Sequence, residues 1–335
     1  RAFSVYGDTT VNNDGNILAS TTNANAYGIY AASIFYDVTV TGSGDITVES
    51  YNGDAIGIIA IGLTGDITVD TSGDISAITE YGDAIGINAI SLSGGDVTVT
   101  NAGNIDVYTF AGLTRGIYAD GNNVSVYNSG DINAESVFYN SRGIQVQAYY
   151  DALVVNSGDI SATSYAQGSA QAIRAVSQYG YAEVSNTGDL SATSTYSNSI
   201  GIVAVGYYGA EVYNSGDITA NNTYANTFGM YLYTKNGDAI VNNYGDITAT
   251  NYVGGASGIY NLSNDNDAIV VNSGVITATT TYGTAYGINN STVYGDSIIT
   301  NTGDISVTAY YDSTGLFATS YAGDSNISNE ANVSV

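Results

Sequence analysis

Apolar residues in this chain recur two positions apart, in short runs separated by polar residues. Val38 and Val40, Val97 and Val99, and Val124 and Val126 belong to one set of runs. Ile46 and Val48, Ile75 and Ala77, and Ile218 and Ala220 belong to a second. A third set opens with Gly-Ile, as at Gly28-Ile29, Gly57-Ile58, Gly86-Ile87, Gly116-Ile117, Gly143-Ile144, Gly201-Ile202, Gly258-Ile259 and Gly287-Ile288. Spacing of two with β-branched residues predicts strands with one face inward and one outward. No run keeps a spacing near 3.6, so no helix is expected.

The three sets follow one another in fixed order, and the order repeats. Anchor glycines Gly15, Gly44, Gly73, Gly103, Gly130, Gly158, Gly188, Gly216, Gly245, Gly274 and Gly303 mark the copies, with Ala331 in the last. Their mean spacing, about 29 residues, lies in the range of solenoid repeats. Three short strands per repeat predict an all-β, right-handed parallel β-solenoid. It would have twelve coils of about 29 residues in one continuous domain over residues 1–335, without separate caps. Coils about 4.8 Å apart bring equivalent residues into columns. The anchor glycine is expected to supply a left-handed or tight corner. Proline, which would remove a ladder donor, is absent.

The columns assign roles. Asn13, Asn101, Asn128, Asn156, Asn186, Asn214, Asn243, Asn272, Asn301 and Asn329 stand two residues before an anchor, and stacked amides there would form a hydrogen-bonded ladder. Phe3 and Val5 align with Ile29 and Ala31, and Val333 and Val335 with Ile46 and Val48. Phe3, Val5, Val333 and Val335 are therefore expected to be inner residues of the end coils. Open strand edges invite pairing, so the chain is expected to assemble with itself, head to tail.

Composition removes most other functions. The chain has no Cys, His or Trp, and 5 Lys or Arg against 31 Asp or Glu, a net charge of −26. Disulfide frameworks and thiolate metal sites are excluded. So is histidine general-base chemistry. A nucleic-acid partner would need a basic surface. Anionic membranes would repel the chain, and no apolar run is long enough to span one. With the single lysine, Lys235, isolated and every loop short, no enzyme is expected.

Three columns carry candidate chemistry. One residue past the anchors stand Asp45, Asp74, Asp131, Asp159, Asp189, Asp217, Asp246 and Asp304. Stacked carboxylates must cap backbone N–H groups, share protons, or hold a hard cation; no cofactor is required, and calcium is the ion such oxygens would bind. Gly53-Asp54, Gly82-Asp83 and Gly237-Asp238 fall outside this column and read as turns. Seven to nine residues past the anchors runs a tyrosine row, Tyr51, Tyr81, Tyr139, Tyr165, Tyr196, Tyr224, Tyr252, Tyr282 and Tyr310. It would pack the corner or grip a polysaccharide or a neighbouring solenoid, with Tyr165, Tyr196, Tyr224, Tyr252 and Tyr282 the contact residues. Ser161 and Thr163, Ser191 and Thr193, Thr248 and Thr250, Thr277 and Thr279, and Ser306 and Thr308 form an outward hydroxyl strip. Arg115 and Arg142 precede Gly in successive repeats and are expected to neutralise nearby acids.

The phrase Asn-Ser-Gly-Asp-Ile-Thr-Ala, as around Gly216, together with Tyr-Gly-x-Ala-x-Gly-Ile-x-Ala, as from Tyr81, resembles the repeats of secreted β-helical surface proteins of Gram-negative bacteria. These include autotransporter passengers and giant adhesins. The resemblance covers essentially the whole chain. It implies an extracellular or cell-surface location and a role in adhesion, aggregation or matrix formation. The resulting expectation is a structural protein, a subunit or segment of a surface filament. The alternatives are an adhesin binding polysaccharide through its tyrosine edge, and an ice-binding solenoid using the hydroxyl strip.

Overall fold

The computed structural model describes all 335 residues. Its regular elements are all strands, and they form three parallel sheets of twelve strands each. A coil passes through the first sheet as an eight-residue strand, such as Ala26–Ser33. It then crosses the second sheet, as in Val38–Gly42, and the third, as in Ile46–Ser50. Each strand pairs in parallel with its equivalents one coil before and one coil after. Ile46, Ile75, Ile105 and Ile132 are successive ladder partners. The expected β-solenoid repeat is thus present, and one apolar core runs along the axis from Ala26 to Val307.

The first sheet departs from simple alternation. In Thr114–Gly121 the buried residues are Thr114, Gly116, Ile117, Ala119 and Gly121, and the half-buried ones are Arg115, Tyr118 and Asp120. Gly-Ile is therefore two inward positions in succession, and the strand begins two residues before the glycine. Space dictates the glycine. A Cβ on Gly28 would lie 2.3 Å from Ile46 Cγ2 and 2.5 Å from the carbonyl oxygen of Gly57. The strand bends at this doublet, and outward side chains on either side of it approach each other, as Tyr27 and Tyr30 do at 6.0 Å between ring centroids. The outer face of the first sheet is consequently a trough. Ile56, Ile59 and Ile85 line it and are only 4–6% exposed although they point away from the core.

The ladder also corrects the alignment at the N-terminus. Ala2 pairs with Ala31, Phe3 with Ala32 and Ser4 with Ser33. Phe3 is an exposed outward residue and Val5 lies half-buried in the next corner, three positions from the expected register. The pairing keeps the offset that separates Gly15 from Gly44, whereas the expected register matched apolar residues with apolar residues. Val333 does pair with Ile305, in the expected column. A second copy stacked on the last coil would thus meet it with only the final three positions of a first-sheet strand, and not with a whole one.

The anchor glycines do not take the left-handed conformation that is one of the two alternatives expected of them. Gly94 is the one residue with positive φ, and it is not an anchor. A Cβ on Gly44, Gly73 or Gly158 would lie 2.1–2.3 Å from the carbonyl oxygen of the anchor glycine one coil earlier. These glycines let adjacent corner backbones approach; no left-handed turn is involved.

Candidate functional site

Strand entry explains the acidic column. The backbone N–H of Asp74 donates to Asp45 Oδ1 (3.2 Å), that of Asp159 to Asp131 Oδ1 (2.9 Å), and that of Asp189 to Asp159 Oδ1 (2.8 Å). Asp217 and Asp246 continue the series at 2.9 Å each, and Asp304 accepts from Asn332 (3.0 Å). Asn104 substitutes isosterically, accepting from Asp131. Of the alternatives open in the sequence, capping of backbone donors is the one the geometry displays. Except at Asp45, whose Oδ2 also accepts from Asn16, one carboxylate oxygen per residue is engaged, and the side chains are exposed. No group of three or more acidic side chains converges as metal ligands would.

The same device occupies the other two corners. Asp37, Asp66 and Asp96 form one further ladder segment, and Asp238, Asp267, Asp296 and Asp324 another in the same column. Asn25, Asp54 and Asp83 form a third. The Gly-Asp pairs read as turns are therefore ladder members in two columns.

Nine asparagines, from Asn101 to Asn329, form the inner amide ladder. Each Nδ2 but that of Asn329 donates to the Oδ1 one coil on, at 2.7–2.9 Å, as in Asn186 to Asn214 and Asn214 to Asn243. The same Nδ2 also reaches the carbonyl two residues ahead, as in Asn214 to Gly216 at 2.7 Å. Asn13 belongs to the column but is cut off from the ladder by Gly42 and Thr71. Asn261 and Asn290 make a second, two-member ladder inside the first sheet (2.8 Å). Sequence reasoning missed it because these residues replace Ala or Leu at an inner position.

The tyrosine row is a series of shorter runs. Tyr51, Tyr81, Phe110 and Phe138 meet edge to face at 5.0–6.4 Å. Tyr196 and Tyr224 stack at 5.0 Å, and Tyr252, Tyr282 and Tyr310 follow at 5.3 and 6.0 Å. Tyr165 and Tyr139 lie between the runs, about half exposed like their neighbours. A second row, Tyr149, Tyr179 and Tyr207, lies on another corner. The hydroxyl strip is in register: Thr248 pairs with Thr277 and Thr250 with Thr279. Of the end residues, Phe3, Val333 and Val335 are exposed.

The arginines do not neutralise acids. Arg115 Nε donates to Gln145 Oε1 (3.0 Å), and Arg142 donates to Gln145 (2.8 Å) and Gln171 (3.1 Å). Arg115 and Arg142 are ladder partners, and Arg174 pairs with Gln145. Three of the four arginines thus gather in the trough of the first sheet.

No protein-family model, no curated protein and no solved structure significantly matches the chain.

Proposed function

We propose that this chain is a structural rod of an extracellular surface fibre or matrix, lengthened by coils stacked on its ends, those of a second copy included. The observation that supports this reading is the continuity of all three sheets through twelve strands. Backbone hydrogen bonding, the Asn ladder and the Asp columns all run along one axis, so each added coil repeats the interactions of the last. Twelve coils correspond to a rod about 58 Å long at the inter-strand spacing. On a second copy, the ladder positions would set Thr9 over Ser325, Val11 over Ile327 and Ile17 over Val333, covering apolar side chains that the end coils expose. A net charge of −26 opposes association at low salt, and screening relieves it. Electron microscopy of the purified chain across a salt series is the test. Axially periodic filaments with a repeat of about 58 Å are expected as salt rises. Particles that stay monomeric at high concentration and high salt would sink the proposal.

A further inference from the structure

Along the trough, a polar stretch lies between two mostly apolar ones. Ile56, Ile59 and Ile85 lie on one side of it, and Ile200, Val203, Phe228 and Tyr231 on the other. Between them, over three coils, lie Arg115, Tyr118, Arg142, Gln145, Gln171 and Arg174.

These arginines are under-used. Each guanidinium carries five N–H donors, yet the three together make three side-chain hydrogen bonds, all to glutamine amides. Arg174 Nη1 is buried without any partner. A buried donor without an acceptor needs an explanation in a missing ligand, water or ion. The one carboxylate in the group, Asp120, accepts from the Tyr118 hydroxyl at 2.8 Å. Arg115 lies over the Tyr118 ring, 4.8 Å from its centroid. Burial, and then the neighbouring Arg174 and Arg115, lower the Arg142 pKa to about 10. The cluster therefore concentrates positive charge that the chain itself leaves unneutralised.

We infer that the Arg115, Arg142 and Arg174 cluster in the trough is a binding site for the carboxylate of an acidic saccharide. A planar carboxylate matches the fork of a guanidinium and forms its strongest hydrogen bonds there. The oxygens of Gln147 and Gln171 are taken up by Tyr118, Gln145 and Arg142, which leaves their Nε2 groups as the amide donors suited to sugar hydroxyls. The arginines are themselves half-buried in the trough. Carboxylates from a second copy are disfavoured, since every copy brings a charge of −26. The site lies on the side of the rod and does not depend on axial stacking.

The test is titration of the whole chain with oligoglucuronate, with the neutral oligoglucose as control, by calorimetry at low and high salt. Microscopy of the same samples scores filaments separately. Oligoglucuronate is expected to bind, more weakly as salt rises, and oligoglucose to be silent. Arg142→Gln and Arg174→Gln should each weaken binding about tenfold, the loss of one charge-assisted contact. Arg174→Gln removes no hydrogen bond within the chain and should melt at the wild-type temperature or above it, which separates lost binding from lost fold. Equal binding of the neutral oligomer, no binding of the acidic one, or unchanged binding in both variants would overturn the site. So would salt-sensitive pairing of rods abolished by Arg174→Gln without saccharide binding, which would assign the cluster to a neighbour's carboxylates.

Discussion

Leu190 is the one leucine in a column of β-branched residues, and it stands at the position facing Ala172, the one alanine in a column of glycines. Elsewhere the column's isoleucine fills the space with its Cγ2. A Cβ on Gly143 would lie 2.1 Å from Ile160 Cγ2, and one on Gly201 2.3 Å from Ile218 Cγ2. Leucine has no branch at Cβ, so room is left for the Ala172 methyl. Both residues are fully buried or nearly so.

Leu190→Ile should therefore drive a methyl into Ala172 and cost about 1–3 kcal/mol by overpacking. Ala172→Gly in the same chain should recover most of that, to within about 1 kcal/mol for the added glycine. Urea denaturation of both single variants and the double variant gives the coupling. Additive losses would show that the two residues do not compensate each other.

The amide ladder makes the cost of an Asn depend on its place. Asn214→Ala strands the Asn243 Oδ1 and removes the acceptor of Asn186, a loss of about 1–3 kcal/mol for each buried group left unpaired. Asn329, at the last coil, is exposed, and water replaces its partner. Asn329→Ala should cost less than about 1 kcal/mol. Thermal melts of the two variants check the ranking.

In the acidic column the backbone needs an acceptor, not a charge. Asp159→Asn keeps the oxygen that accepts from Asp189 and removes a carboxylate from between Asp131 and Asp189. It should leave the melting temperature unchanged or raise it, most at low salt, where repulsion is least screened. Asp159→Ala loses the hydrogen bond and should cost about 0.5–1.5 kcal/mol. A salt series of melts for both variants separates charge from hydrogen bonding.

The tyrosine runs set an alkaline limit. The neighbouring Tyr51 raises the Tyr81 pKa above the ordinary 10.0, chiefly by charge repulsion and then by hydrogen bonding, and Tyr282 does the same for Tyr252. The folded value lies above the unfolded one. The linked stability is thus fully present below a pH of about 10 and is lost as pH rises through the raised folded value. Phenolate absorbance should show late-titrating tyrosines, and Tyr51→Phe should shift Tyr81 back toward the ordinary value.

Period, strand count and core were legible in the sequence because each coil repeats the same local code. Alternation names the inward residues of the second and third sheets, and the ladder forces like residues into columns. The Asn ladder and the Asp column were visible for the same reason. The misreadings came from what alternation does not record. Two consecutive inward positions at Gly-Ile are a property of the bend, which exists because Ile46 and its equivalents occupy the space a side chain would need. The register of Phe3 follows instead from the offset between Gly15 and Gly44, which sets it beside Ala32 although its apolar side chain resembles that of Ile29.

The anchor glycines, likewise, take their role from the backbone of the coil before, about 29 residues away in sequence. The arginines were read against the acids near them in the chain. Only the stacked structure shows that Arg115, Arg142 and Arg174 share one trough and that their partners are glutamines. Local pattern determines which residues face the core, whereas contacts between coils, set by sterics across the ladder, decide which outward side chains meet and which polar groups are left unpaired.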